Sequence, residues 1–182
     1  MRKTLTTILL ISLFFFIIIS VVYKLSKIEV NPKDLTTGPA NSGVIINQNI
    51  PEPTGFITDQ ANLLNPETKT KLNEILTNFN ATNKGEVGIL TIQNMNGLNI
   101  EEFGIRVAEK WKVGKAGIDN GIIIIIAISE RKVRIEVGRG STITDSQAGQ
   151  ILDEKMVPFL KKNDWNNAIL EGTNEIINKL NK

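Results

Sequence analysis

Residues 119–140 read DNGIIIIIAISERKVRIEVGRG, and this stretch decides the fold. Its five consecutive isoleucines, Ile122 to Ile126, form a β-branched run that predicts a central strand covered on both faces. A short polar segment, residues 129–132, separates that run from residues 133–137, where apolar and charged side chains alternate. The alternation predicts an antiparallel partner strand with its apolar side chains on one face and its charged side chains on the other.

Helix and strand signals surround this hairpin on both sides. Asn65 and Asn99 are natural N-caps, and the second is followed three residues later by a glutamate in a capping-box pattern. The predicted elements, in chain order, are a strand at 55–58, a helix from Asn65, a strand at 86–92, a helix from Asn99, the hairpin, a helix from Thr144 kinked near Pro158, and a helix from about Trp165. This order predicts the α/β class, with a mixed β-sheet flanked by helices.

Two absences limit the chemistry of the 182-residue chain. It has no cysteine, which excludes disulfides, thiolate metal sites and cysteine nucleophiles. It has no histidine, which excludes imidazole zinc sites and every triad whose base is histidine. The metals still easily held are hard cations such as calcium, magnesium or manganese.

The net charge of +2 comes from the N-terminus of the chain. Residues 26–182 hold 18 of the 21 basic side chains and all 19 acidic ones, so this part is close to neutral. Only 5% of the residues are aromatic. Because nucleic-acid binding needs clustered Lys and Arg with stacking aromatics, we expect no nucleic-acid partner.

An uncharged segment of 20 residues runs from Thr4 to Tyr23. As a helix it spans about 30 Å, the hydrocarbon thickness of a bilayer. Residues 1–25 are therefore predicted to be an N-terminal transmembrane helix that anchors the chain to a membrane. A signal peptide is the alternative, but residues 20–24 offer no small-x-small cleavage site.

The sequence after the anchor divides into a linker and a domain. Residues 26–54 are rich in Pro, Gly and Asn and are predicted to be a flexible linker. Residues 55–182 are predicted to be the folded domain. Since basic residues precede the apolar segment, the domain is expected outside the cytoplasm.

Three aspartates stand at the ends of predicted strands. Asp119 precedes one hairpin strand and Asp145 follows the other, and antiparallel pairing brings those two ends to the same edge. Asp59 follows the first strand at a strand-to-helix turn, a common ligand position in α/β folds, and is expected to join them. Together the three predict a hard-cation site. Each also has a structural interpretation, as a turn residue, a loop residue or a helix N-terminal residue.

Two arginines lie near the same edge. Arg134 and Arg139 are placed to meet an anion, so the candidate catalytic residues are Asp59, Asp119, Asp145, Arg134 and Arg139. The alternative for the basic hairpin is a solvated surface. Gly138-Arg139-Gly140 lacks the full dinucleotide fingerprint and is interpreted as a loop.

Five separated blocks, taken together, resemble the TPM domain in order and spacing over about residues 55–180. The blocks are Asp59-x-Ala61-x-Leu63-Leu64-x-Pro66-Glu67, Trp111-Lys112-Val113-Gly114-Lys115, Asp119-Asn120-Gly121, Arg134-Ile135-Glu136-Val137-Gly138-x-Gly140 and Ile143-Thr144-Asp145. The resemblance implies an αβα sandwich, exported and tethered to a membrane. It also implies a divalent cation, calcium rather than magnesium, bound by acids that fall on Asp59, Asp119 and Asp145.

The resemblance leaves two functions open. Some members of the family are acid phosphatases of the photosynthetic membrane, which implies a metal-dependent hydrolase. Others are accessory proteins of membrane complexes or receptors. They imply an interaction module whose aspartates are structural or bind calcium for rigidity, and whose partner is a membrane protein. The chain departs from the family between Gly140 and Thr144, where the expected glutamate is missing and the loop is about two residues shorter.

Overall fold

The computed structural model describes residues 50–182. Its elements are β1 (Ile57–Asp59), α1 (Pro66–Asn80), β2 (Glu86–Ile92), α2 (Ile100–Trp111), β3 (Gly121–Ala127), β4 (Lys132–Val137), α3 (Asp145–Ile151), a π-helical segment (Leu152–Met156), α4 (Val157–Leu160) and α5 (Trp165–Leu180). Asparagine side chains cap α1 and α2 as predicted, because Asn65 accepts from the Thr68 N–H and Asn99 from the Glu102 N–H, each at 2.7 Å.

The four strands form one mixed sheet in the order β1-β2-β3-β4. β1, β2 and β3 are parallel, and β4 is antiparallel to β3 with Ile124 opposite Ile135. The predicted mixed sheet and its hairpin are therefore confirmed. β4 lies at one edge of this sheet.

The isoleucine run is buried on both faces, as its composition predicts. Ile122, Ile124 and Ile126 face a core that also holds side chains of α1, α3, the π-helical segment and α5. Ile123 and Ile125 face a second core, built mainly with α2. Since each fully buried isoleucine contributes about 1.5–3 kcal/mol, this run anchors both helical layers of an αβα sandwich.

The helix predicted from Thr144 is interrupted before Pro158. Thr144 caps α3 through a reciprocal capping box with Gln147. The chain then widens into the π-helical segment, and Pro158 stands in the first turn of α4. Proline has no N–H and clashes with the carbonyl four residues earlier, which accounts for the change of helical geometry at this point.

Residues 50–53 lie against α2. The Lys110 Nζ donates to the Ile50 carbonyl and the Trp111 Nε1 to the Pro51 carbonyl, both at 2.7 Å. Lys110 also pairs with Glu52 at 2.6 Å. Ordered contacts thus begin upstream of the predicted domain start at residue 55.

The predicted anchor, residues 1–25, and residues 26–49 of the predicted linker lie outside the described residues. Among residues 50–182, no helix combines the length and the apolar character needed to cross a bilayer.

Candidate functional site

Asp59 ends β1 and is held from several sides. Its Oδ1 accepts from the Leu63 N–H at 2.9 Å and from the Thr91 hydroxyl at 2.5 Å. Its Oδ2 accepts from the Leu64 N–H at 3.2 Å and pairs with the Lys69 Nζ at 2.8 Å. This carboxylate joins β1, the following turn, β2 and α1.

The electrostatics of Asp59 follow from these contacts. Burial alone would raise the pKa of its carboxyl, but the hydrogen bonds from Lys69, Thr91 and the two backbone N–H groups outweigh it. The pKa of Asp59 is therefore lowered below its usual value, and the group stays ionised at neutral pH. These contacts are the ones expected of a structural turn residue.

Asp119 lies just before the start of β3, at the end of the sheet opposite to Asp59. Its backbone is left-handed, with φ of 59°. The carbonyl of Asp119 accepts from the Gly140 N–H at 2.9 Å, and its Oδ2 accepts from the Arg139 N–H at 3.2 Å. The side chain is exposed, and it ties the loop before β3 to the loop after β4.

Close backbone approaches explain the glycines around Asp119. A Cβ on Gly138 would lie 2.2 Å from the Asp119 carbonyl oxygen, and one on Gly140 only 1.7 Å from that of Ile118. A Cβ on Gly121 would lie 1.9 Å from the Val113 carbonyl oxygen. The Gly-x-Gly pair is therefore part of a loop, as interpreted from the sequence, and this loop packs against the loop before β3. Three of the five sequence blocks, those that contain Val113, Asp119 and Gly138, contact each other here.

The structure does not bring the three predicted aspartates to one point. In the sheet register, Asp59 of β1 lies opposite Thr91 of β2, which lies opposite Ile126 near the end of β3. Asp119 instead lies before Gly121, the first residue of β3. Five residues of parallel strand, about 17 Å, separate those two levels. Within residues 50–182, no three acidic side chains are grouped closely enough to share a metal ion. The residues present thus do not fit a three-aspartate cation site.

The antiparallel hairpin does join the two strand ends that were expected to meet. The Gly138 N–H donates to the Gly121 carbonyl at 2.8 Å, so the start of β3 and the end of β4 share one edge. Asp145 has no hydrogen bond or ion pair with Asp119 among the described contacts. It is exposed in the first turn of α3 and lines a groove beside β4.

The two candidate arginines differ in their surroundings. The Arg134 Nε donates to the Glu136 carboxylate at 2.5 Å, and both side chains are partly buried. They pack over Gly104 of α2, where a Cβ would lie 2.5 Å from the Glu136 carboxylate. The charge of Arg134 is therefore compensated, while Arg139 is exposed and contributes only its backbone N–H to the contacts with Asp119.

A groove of about 430 Å³ runs beside β4. Its floor is residues 133–135 of that strand, and its walls come from the first turn of α2 and from α3. Glu101 stands on the α2 wall and Asp145 on the α3 wall. Two of the candidate residues, Arg134 and Asp145, line this groove.

Four residues that fix the candidate side chains were not predicted: Lys69, Thr91, Gly104 and Glu136. For Thr91 the sequence did contain an indication. A hydroxyl inside the apolar run of residues 86–92 is expected to be buried, and a buried hydroxyl needs a hydrogen-bond partner. The others depend on which elements pack together, and no local pattern indicates that.

The comparisons with solved structures agree with this architecture. The N-terminal domain of a protein from P. gingivalis is 23% identical, with a TM-score of 0.64 over 69% of this chain and 82% of that one. The N-terminal domain of the cg2496 protein from Corynebacterium glutamicum is 17% identical, with a TM-score of 0.55 over 79% and 86%. The BA42 protein from Bizionia argentinensis is 13% identical, with a TM-score of 0.54 over 64% and 81%. At these identities the likeness concerns the fold alone.

The comparison with family models gives the family itself. No curated protein matches this chain in sequence. The family model described as the TPM domain matches residues 57–179, which is most of the chain and nearly all of the described part. The five sequence blocks all fall inside the matched range. The chain therefore belongs to the TPM domain family.

Proposed function

We propose that this chain is a non-enzymatic interaction module, held to a membrane by residues 1–25, that serves a membrane-associated partner protein outside the cytoplasm. The apolar segment from Thr4 to Tyr23 and the basic residues before it support the location. The groove beside β4 supports the mode of action, because it offers a binding surface without a catalytic constellation.

One observation carries the choice between binding and hydrolysis. Three of the five side chains nominated for chemistry already have internal partners: Asp59 has Lys69, Asp119 has the Arg139 N–H, and Arg134 has Glu136. An acid that activates a nucleophile or an arginine that binds phosphate needs a free face toward its substrate. Internal pairing of this kind favours a structural role for these residues.

The metal-dependent phosphatase is the rival, and it has less support. It requires Asp59, Asp119 and Asp145 to hold one divalent cation, whereas the sheet register separates the first two by about 17 Å along the strand. The glutamate that the family resemblance led us to expect after Gly140 is also missing. Binding of calcium or magnesium stays a prediction of the resemblance.

Cross-linking in intact membranes tests the interaction role. We expect the full-length chain to form a recurring cross-link with one membrane protein, identified by mass spectrometry of the cross-linked peptides. The cross-link should still form when the reaction is carried out at high ionic strength if it reports a specific interface and not attraction between surface charges. Recovery of the chain without a recurring partner, at a yield that detects known neighbours in the same membrane, would contradict the proposal.

A further inference from the structure

The outer side of β4 carries main-chain groups without partners. Gly138 and Gly121 form a hydrogen-bonded pair, and such pairs alternate along an antiparallel ladder. The N–H and C=O groups of Val133, Ile135 and Val137 therefore point away from β3. In the described residues, none of these outward groups has a hydrogen-bond partner. They recur at every second residue over about 13 Å of strand.

β4 carries the charged residues Lys132, Arg134 and Glu136 but lacks two other devices that protect a sheet edge. Its pairing with β3 is continuous over six residues, without a bulge, and the strand has no proline. The groove reaches residues 133–135 of this edge between α2 and α3, although the Ile135 side chain is buried in the core. An extended peptide is the ligand that matches a row of alternating main-chain donors and acceptors.

The walls of the groove combine apolar residues, one glycine and two acidic residues. Gly149 on the α3 wall has open space where a Cβ would stand. Glu101 and Asp145 are both exposed and have no ion-pair partner within residues 50–182. The other lining charge, Arg134, is neutralised by Glu136. The groove is therefore complementary to a basic ligand.

We propose that this groove binds an extended segment of a partner protein as a fifth strand beside β4, with a lysine or arginine of the segment between Glu101 and Asp145. The inference rests on the proposed interaction function and names its surface and the chemistry of its partner. Main-chain hydrogen bonds to Val133 and Ile135 supply affinity, and the two acids select for basic segments.

A peptide selection tests the proposal on the full-length chain in mild detergent. The probe is a random library of displayed peptides of about ten residues, the upper length of ordinary strands. Gly149→Trp fills the groove from a helical position with open space, and Gln150→Trp places the same side chain on an exposed neighbouring position that does not line the groove. Both variants should keep the melting temperature of the wild type within a few degrees.

We expect selected peptides to be enriched in Lys and Arg and to bind Gly149→Trp about tenfold more weakly or worse, since the loss of two main-chain hydrogen bonds is already of that size. Gln150→Trp should bind them as the wild type does. Amide hydrogen exchange should slow at Val133 and Ile135 when a selected peptide is bound.

Three outcomes overturn the proposal. The first is peptides that bind wild type and Gly149→Trp equally. The second is a groove already closed by the chain's own residues 26–49, seen as protected Val133 and Ile135 amides before peptide is added. The third is a dimer through this edge that Gly149→Trp dissociates. Phosphatase activity would refute the proposed function while leaving these readouts unchanged, so the two failures are distinguishable.

Discussion

Lys69 and Asp59 form an ion pair across the turn between β1 and α1, with 2.8 Å between the lysine Nζ and the carboxylate Oδ2. The carboxylate is 3% exposed, whereas the lysine is 38% exposed. The partly solvated lysine limits what the ion pair itself contributes to about 1 kcal/mol or less. The larger contribution comes from the part-buried hydrogen bonds that the carboxylate accepts from the Thr91 hydroxyl and from the N–H groups of Leu63 and Leu64.

Asp59→Asn should lower the free energy of unfolding by about 2–3 kcal/mol at pH 7, because charge-assisted hydrogen bonds are replaced by neutral ones. Lys69→Met should cost about 1 kcal/mol or less. Urea unfolding measures both, with Asp153→Asn, at an exposed position, as the control. Equal costs for Asp59→Asn and Asp153→Asn would refute the structural role of Asp59.

The pH dependence of stability follows from the lowered pKa of Asp59. A depressed carboxyl pKa stabilises the fold at pH values above the unfolded pKa, near 3.8, and this stabilisation is lost as the pH falls through the folded pKa. The wild type and Asp59→Asn should therefore differ most at neutral pH and converge in acid. Unfolding curves measured between neutral pH and strong acid test this, and a difference that grows toward low pH would contradict it.

Gly140→Ala should destabilise the domain by about 3 kcal/mol or more, since its Cβ would meet a backbone oxygen that cannot rotate away. Gly149→Ala should instead stabilise it by about 0.5–1 kcal/mol, because the position is helical and open. Thermal unfolding of the two variants makes a matched comparison. Similar shifts in both would mean that the loops around Asp119 do not approach as described.

The fold was largely predictable because the isoleucine run and the alternation of residues 133–137 are local patterns. The candidate site was not predictable, because placing Asp59 and Asp119 at one edge of the sheet requires the direction of β1, and the sequence does not give that direction. Once β1 is parallel to β3, an acid that follows one strand and an acid that precedes the other must lie at opposite ends. Strand direction and the Lys69 contact arise from tertiary packing.

The calcium response should not depend on Asp59. Binding to the folded state raises the melting temperature by mass action, and extracellular calcium modules typically have dissociation constants of about 10⁻⁴ to 10⁻³ M. For each protein the melting temperature at millimolar calcium is compared with that of its calcium-free form. We expect this difference to be the same for Asp59→Asn and for the wild type. If both Asp59→Asn and Asp119→Asn lost the calcium-induced rise in melting temperature, the two aspartates would have to bind the same cation.

The N-terminal segment should remain on the mature protein. We expect detergent to be required for extraction, because Thr4 to Tyr23 is long enough to span a bilayer. Intact mass of the membrane-derived chain measures this directly. A mature N-terminus near residue 25 would show a cleaved signal instead of an anchor.

The central claim is that the domain acts by binding and not by hydrolysis, and a phosphatase assay tests it most directly. Purified full-length chain is incubated with p-nitrophenyl phosphate at acidic and neutral pH, with calcium, magnesium, manganese or a chelator. The account predicts hydrolysis no faster than in the Asp119→Asn variant under every condition, because Asp59, Asp119 and Arg134 already have internal partners. Metal-dependent turnover that is present in the wild type, abolished in Asp119→Asn and retained in Asp153→Asn would contradict it.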